Sequence, residues 1–341
     1  MKKLFFVLAL LLIFTLPAFA AMKVIMVTDV GGLGDKSFND GTWEGIQRAA
    51  DFLGLETEVV QSHEMSDYIP NLSNAAEEAD IVFGVGFMMQ DQLAKVARQY
   101  PGTYFVGIDI SYEETIENVA TYIFKEQQGA FLVGYLAAGM TKTNKVGFVG
   151  GIPIPPVERF RYGYEAGIRV YEVVKGKTID LVKGYTNDFN DPKKGKDLAL
   201  SQFAAGADIV FHASGACGNG VIEAAAEMGE GYFAIGVDSN QDYMAPGRVL
   251  TSSLKRVDNA AYQAVLSIAL GTFEPGTHVL GIEDNGVGIT EMKYTKHLVP
   301  DELLRELDYL KQLIIDDKLV IPDTQEKLDA FTVPEIDFPW K

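Results

Sequence analysis

Cysteine is almost missing from this chain. One residue, Cys217, occurs in 341, so no disulfide can form within the chain and no cysteine cluster can hold a metal. Without an identifiable partner base, Cys217 reads as a small buried hydrophobe and not as a nucleophile. Histidine is nearly as scarce. His63, His212, His278 and His297 are scattered without the spacing of a ligand set, so no metal and no other cofactor is expected. Basic residues are few, 29 against 47 acidic ones, for a net charge of −18. That balance argues against nucleic acid and anionic membrane surfaces as partners. Long apolar runs are limited to Leu4–Leu16, which falls short of the roughly 20 residues a membrane span needs.

What that run does have is flanks. Lys2 and Lys3 precede it, and Pro17 then Ala18-Phe19-Ala20 follow it. This is the three-part layout of a secretory signal peptide over residues 1–20, with cleavage expected after Ala20. A lipid anchor would need a cysteine at the cleavage point, where Ala21 stands. The expectation is export through the Sec pathway to a periplasm as a soluble, unanchored protein. The roughly 320 residues that remain exceed what one hydrophobic core usually serves, and two domains are expected.

Short runs rich in Val, Ile and Phe predict strands at Lys23–Thr28, Glu56–Gln61, Asp80–Gly86, Tyr104–Asp109, Lys145–Val149, Asp208–His212 and Phe233–Asp238. Helical patterns alternate with them at Phe38–Phe52, Gln90–Tyr100, Gln127–Met140, Val157–Val174, Lys193–Ala204 and Gly220–Met228, and Leu303–Ile315 adds an amphipathic helix. Apolar strands without polar alternation belong in parallel sheets covered on both faces, so the expected class is α/β and doubly wound.

An internal repeat organises the pattern. Ala79-Asp80-Ile81-Val82-Phe83 recurs as Ala207-Asp208-Ile209-Val210-Phe211. Each copy leads through a Gly-containing loop and a helix to a second strand, ending at Asp109 in one case and Asp238 in the other. Two matches in register imply a duplicated lobe. Ligands of open parallel sheets bind beyond the carboxyl ends of the strands. Asp29, Asp109 and Asp238 all stand at such ends and converge on a cleft between the lobes, although any single one of them also suits a loop cap.

Two loops carry aromatics where polar residues would be ordinary. The first strand runs into Gly31-Gly32-Leu33-Gly34-Asp35-Lys36-Ser37-Phe38-Asn39, in which Ser37 or Asn39 is suited to cap the next helix. The spacing fits neither the dinucleotide fingerprint nor the phosphate-binding P-loop. In the second half, Asp188-Phe189-Asn190-Asp191-Pro192 places Asp191 as N-cap with proline in the first turn. Phe38 and Phe189, one from each lobe, form a candidate clamp for a flat ring; plugging their own loops is the competing role. Small residues at Ser214 and Gly215 let main-chain groups approach a ligand, and Lys255 is a candidate donor in the same cleft.

With these residues assembled, the chain resembles the basic membrane protein family of bacterial substrate-binding proteins, which includes purine nucleoside receptors of ABC transporters. The likeness is carried by Asp35-Lys36-Ser37-Phe38-Asn39 with Gly45, Val106-Gly107-Ile108-Asp109, Arg159-Phe160 with Gly163, Gly195-Lys196, Gly236-Val237-Asp238 and Lys255-Arg256-Val257-Asp258. It implies a type I periplasmic-binding-protein fold, two Rossmann-like lobes joined by a three-stranded hinge. One lobe would take residues 22–125 with about 254–283, the other 126–253 with about 284–341. It implies a binding function without catalysis, a purine nucleoside such as guanosine, inosine or adenosine as ligand, permease subunits as partners, and a monomer that meets the membrane only transiently. Phe38 and Phe189 would stack on the purine and Asp238 would take its polar edge. Asp29, Asp109 and Lys255 would hold the ribose or nearby base atoms, with Asn39 beside them and Gly215 offering a main-chain contact. A sugar-binding protein, a nucleoside-cleaving enzyme and a ligand-sensing regulator are the alternatives.

Overall fold

The apolar runs become two sheets of matching design. A computed structural model describes residues 22–340; the leader expected at 1–20 lies outside them. In chain order the elements are β1 (Lys23–Val27), α1 (Phe38–Leu53), β2 (Glu56–Val60), α2 (Tyr68–Glu78), β3 (Ile81–Val85), α3 (Gln90–Ala97), β4 (Tyr104–Ile108), β5 (Val119–Phe124), α4 (Glu126–Met140), β6 (Lys145–Gly150), α5 (Pro155–Lys175), β7 (Asp180–Tyr185), α6 (Pro192–Ala204), β8 (Ile209–Ala213), α7 (Cys217–Met228), β9 (Phe233–Asp238), β10 (Val249–Lys255), α8 (Val257–Ala269), β11 (Gly276–Leu280), β12 (Val287–Ile289), α9 (Asp301–Ile315) and α10 (Gln325–Asp329).

The first sheet is ordered β11-β5-β4-β3-β1-β2 and the second β12-β10-β9-β8-β6-β7. Position for position the two orders are the same. The repeated pentapeptides open β3 and β8, which sit third from the same edge of their sheets, so the duplication read from five residues extends to the whole lobe. All pairings are parallel except β10 with β12.

The chain passes between the sheets three times: from β5 into α4, from β10 into α8, which packs on α1, and from β11 to β12. The crossings are tied to one another. The Lys125 amide donates to the Leu280 carbonyl at 2.9 Å and the Arg256 amide to Gly286 at 2.8 Å. Lys125 Nζ also meets Glu283 Oε1 at 2.5 Å. This is the type I periplasmic-binding-protein architecture that the resemblance implies. Each lobe is built on central strands buried on both faces, and α4 runs buried along nearly its whole length between α5, β10 and β12. Cys217 is buried at the start of α7.

Candidate functional site

The loop after β1 is organised by carboxylates. Asp35, almost fully buried, accepts from the amides of Ser37, Asn39 and Asp40 at 3.0, 2.8 and 3.1 Å. It therefore caps α1, the part expected of Ser37 or Asn39. The Ser37 side chain makes no capping bond, because two carboxylate oxygens from two residues upstream already satisfy the free amides. Asp191 does cap α6 as expected, accepting from the Lys193 amide.

Asp29 accepts from the Gly31 amide at 2.9 Å and from Asn39 Nδ2 at 3.0 Å. Burial pushes its acid up to about 6 against those hydrogen bonds. Asp109 and Asp238 close β4 and β9, and their backbones take the same left-handed conformation, φ 60° and 61°. That conformation is uncommon away from glycine, and its repetition at equivalent strand ends aims both carboxyls out of their sheets in the same sense. Asp238 is pushed up to about 8, mainly by burial, so in this cleft it is a neutral acid near pH 7.

Lys255 ends β10 at one of the interlobe crossings. Its ammonium meets Asp109 and, at 2.9 Å, Glu126 Oε1, with the rings of Phe38, Phe124 and Phe160 within 5.1, 5.3 and 5.8 Å. Burial works against its charge, but the carboxylates of Asp109 and Glu126 in contact with it overrule that and hold the group protonated. Glu126 is fully buried and is gripped from the other side by Arg159, at 2.6 and 3.2 Å. Burial raises its acid; Arg159 and Lys255 outweigh that and leave it below its ordinary value.

All eight expected residues, Asp29, Phe38, Asn39, Asp109, Phe189, Gly215, Asp238 and Lys255, line one cavity between the lobes. Its cavity volume is about 60 Å³. Buried polar atoms of four of its residues, Asn39 Oδ1, Asp109 Oδ1, Asp238 Oδ1 and Ser214 Oγ, have no protein hydrogen-bond partner among the described residues. Buried groups of this kind are normally satisfied, which marks the cavity as a place built to receive a polar guest. Phe189 fits because Gly151 lies directly under its ring, where a Cβ would collide. Gly215 holds φ 56° against the Phe189 main chain.

The sequence reading missed the apolar wall of Phe87, Ile154, Pro156, Val157 and Phe160, and it missed Glu126. Glu126 opens a helix in which every other residue but Gly139 is buried, and a carboxylate at a helix start is too ordinary to single it out.

A family model for ABC transporter substrate-binding proteins of the Bmp family, described as PnrA-like, matches residues 22–325. The chain belongs to the Bmp family. It is 33% identical over 323 residues to a CD4+ T-cell-stimulating antigen of Listeria monocytogenes, covering 88% of each chain. It is 32% identical to basic membrane protein A of Borreliella burgdorferi, with 91% of this chain and 90% of that one covered. An uncharacterized lipoprotein of Pyrococcus abyssi is 34% identical, with coverages of 92% and 79%. Among solved structures, an ABC transporter solute-binding protein from Aeropyrum pernix K1 superposes with a TM-score of 0.83 at 31% identity, over 91% of this Bmp-family chain and 96% of that one. The lac repressor shares the fold alone, at a TM-score of 0.55 and 16% identity over 82% of this chain and 95% of that one. Substrate-binding proteins of this family serve ABC transporters from outside the cytoplasm. Among the described residues no helix is long and apolar enough to cross a membrane.

Proposed function

We propose that this Bmp-family protein captures a purine nucleoside in the interlobe cleft and delivers it, chemically unchanged, to the permease of an ABC transporter. One observation carries the reading: Phe38 and Phe189 reach the same cavity from opposite lobes, among carboxyls contributed by both sheets. Covering both faces of a flat heterocycle supplies several kcal/mol at about 25 cal/mol per Å². A sugar site also uses carboxyls and aromatics, so it is the coverage of both faces of one ring that favours a nucleobase over a sugar.

In this reading Asp238 faces the polar edge of the base. A purine N–H donates to it and draws the acid toward its ionised form. Asp29, Asn39, Asp109 and Lys255 surround the ribose, whose hydroxyls both donate and accept, and Gly215 presents main chain to the ligand. The protein works as a monomer in the periplasm and touches the membrane only while docked on the permease.

Calorimetry on refolded, ligand-stripped protein against adenosine, guanosine, inosine, cytidine and ribose tests this. Purine nucleosides bind and ribose does not. Binding of ribose with no nucleoside would sink the reading, and release of free base at enzyme-like rates would overturn the non-catalytic role.

A further inference from the structure

The loop that carries Phe38 into the cleft has its two kinds of main-chain group sorted between the lobes. Its amides point into the first lobe. Val30 donates to the Tyr68 hydroxyl, Gly31 to Asp29, Leu33 to Gln61, Gly34 and Lys36 to Asp40, and Ser37 to Asp35. Its carbonyls face the second lobe, where four side chains donate to them. Asn190 Nδ2 donates to Val30, Asn219 Nδ2 to Gly34 at 3.1 Å, Gln241 Nε2 to Lys36 at 3.2 Å and Ser239 Oγ to Ser37 at 3.3 Å.

The direction of the Gln241 bond is fixed from inside the second lobe. Its Oε1 accepts from the Val237 amide at 2.9 Å and lies 3.1 Å from His212 Nε2. An oxygen already accepting there makes His212 Nε2 the donor, and the amide nitrogen is left to face Lys36. His212 is fully buried, and burial lowers its pKa to about 4, so it stays neutral and keeps this arrangement at physiological pH.

We infer that Asn190, Asn219, Ser239 and Gln241 form a latch that holds the two lobes closed and thereby sets how long a ligand stays bound, without any of the four touching it. None of them lines the cavity. The four bonds come from three separate places on the second lobe and converge on one loop of the first, and they exist only when the lobes meet. All the donors stand on one side, so the latch engages main chain alone on the other and is indifferent to the side chains there. Opening the lobes breaks the four together. The latch therefore acts on ligand release and leaves capture by the open form unchanged.

The inference rests on the nucleoside reading for its main test. In the variant Asn190→Ala/Asn219→Ala/Ser239→Ala, stopped-flow dissociation of the purine nucleoside that binds wild type most tightly is expected to accelerate about tenfold, with the association rate within about twofold of wild type. A dissociation rate equal to that of wild type overturns the latch. Should the triple variant fail to fold, Gln241→Glu decides by the same readout, since it keeps the accepting oxygen and replaces the donor to Lys36 with an acceptor. Should wild type bind no nucleoside at all, the functional reading fails and the latch is judged separately. X-ray scattering of ligand-free protein must then give a larger radius of gyration for the variant, and an unchanged radius overturns it.

Discussion

A carboxyl held dry near a buried ammonium is the residue with the most to reveal by titration. Asp238 ionises near 3.8 when unfolded and near 8 in the ligand-free cleft, with burial as the main cause. The folded state thus binds the extra proton between those values, and stability falls as pH rises through the window. Asp29 behaves likewise up to about 6. His212 runs the other way, losing stability as pH falls from about 6.5 toward 4. Between pH 6.5 and 8 only Asp238 remains in play among these three, and ligand-free protein should lose up to about 1.4 kcal/mol per pH unit there. Asp238→Asn should flatten that slope in thermal melts, and an unaltered slope would reassign it. Phe38 is a different test. It is half-buried at the edge of the core, so Phe38→Ala should weaken nucleoside binding by tenfold or more, about 1.4 kcal/mol, while the apo melting temperature moves little. Equal affinity would return Phe38 to a loop plug. The aspartates were legible because strand ends and a repeat place them with no knowledge of contacts. Glu126 and the apolar wall were not, since an ordinary helix start and ordinary core residues carry no mark of facing a cleft.

At the scale of elements, the helix crossings decide what the sheets carry. α4 and α5 pack through glycines at which a Cβ would intrude on the partner's backbone: at Gly163 it would lie 2.6 Å from Gln127 Cα, and at Gly167 2.8 Å from the Tyr135 nitrogen. Glycine inside a helix is otherwise a weakness, and alanine would gain about 1 kcal/mol of propensity. Here the obstacle is main chain, which cannot rotate away, and overpacking costs about 1–3 kcal/mol. The second effect wins. Gly163→Ala should lower stability by about 1–2 kcal/mol in urea unfolding; a more stable variant would refute the close packing. Legibility at this scale followed burial only in part. Strands covered on both faces, such as β3 and β8, read as apolar runs, and β7, β11 and β12, edge strands with half-exposed or very short sequences, went unread, whereas the equally half-exposed edge strand β2 was found. β5, α2 and α8 also went unread. α2 carries Pro70 in its first turn, which blurs a helical pattern.

For the whole molecule, duplication was written in the sequence and closure was not. The repeat foretold two like lobes, but the bonds that join them across the cleft land on carbonyls of the 30–37 loop, and a carbonyl is common to every residue type. The polar residues of the cleft, Asp29, Asp109, Asp238 and Lys255, are buried between the lobes, so uptake is expected to require the lobes to part about the three crossings. A removable bolt tests this. Gly41 on α1 belongs to the first lobe and Ser239 to the second, and a Cβ at Gly41 would lie 3.2 Å from Ser239 Oγ, close to the roughly 3 Å that separates a Cβ from the far sulfur of a disulfide with its S–S bond of about 2 Å. Cys217 is buried and does not compete for oxidant. Ligand-stripped Gly41→Cys/Ser239→Cys protein, once oxidised, should take up no purine nucleoside, and reduction should restore uptake in the same sample. Oxidised and reduced forms that bind at equal rates would mean that the ligand reaches Phe38 and Phe189 by a route that needs no separation of the lobes.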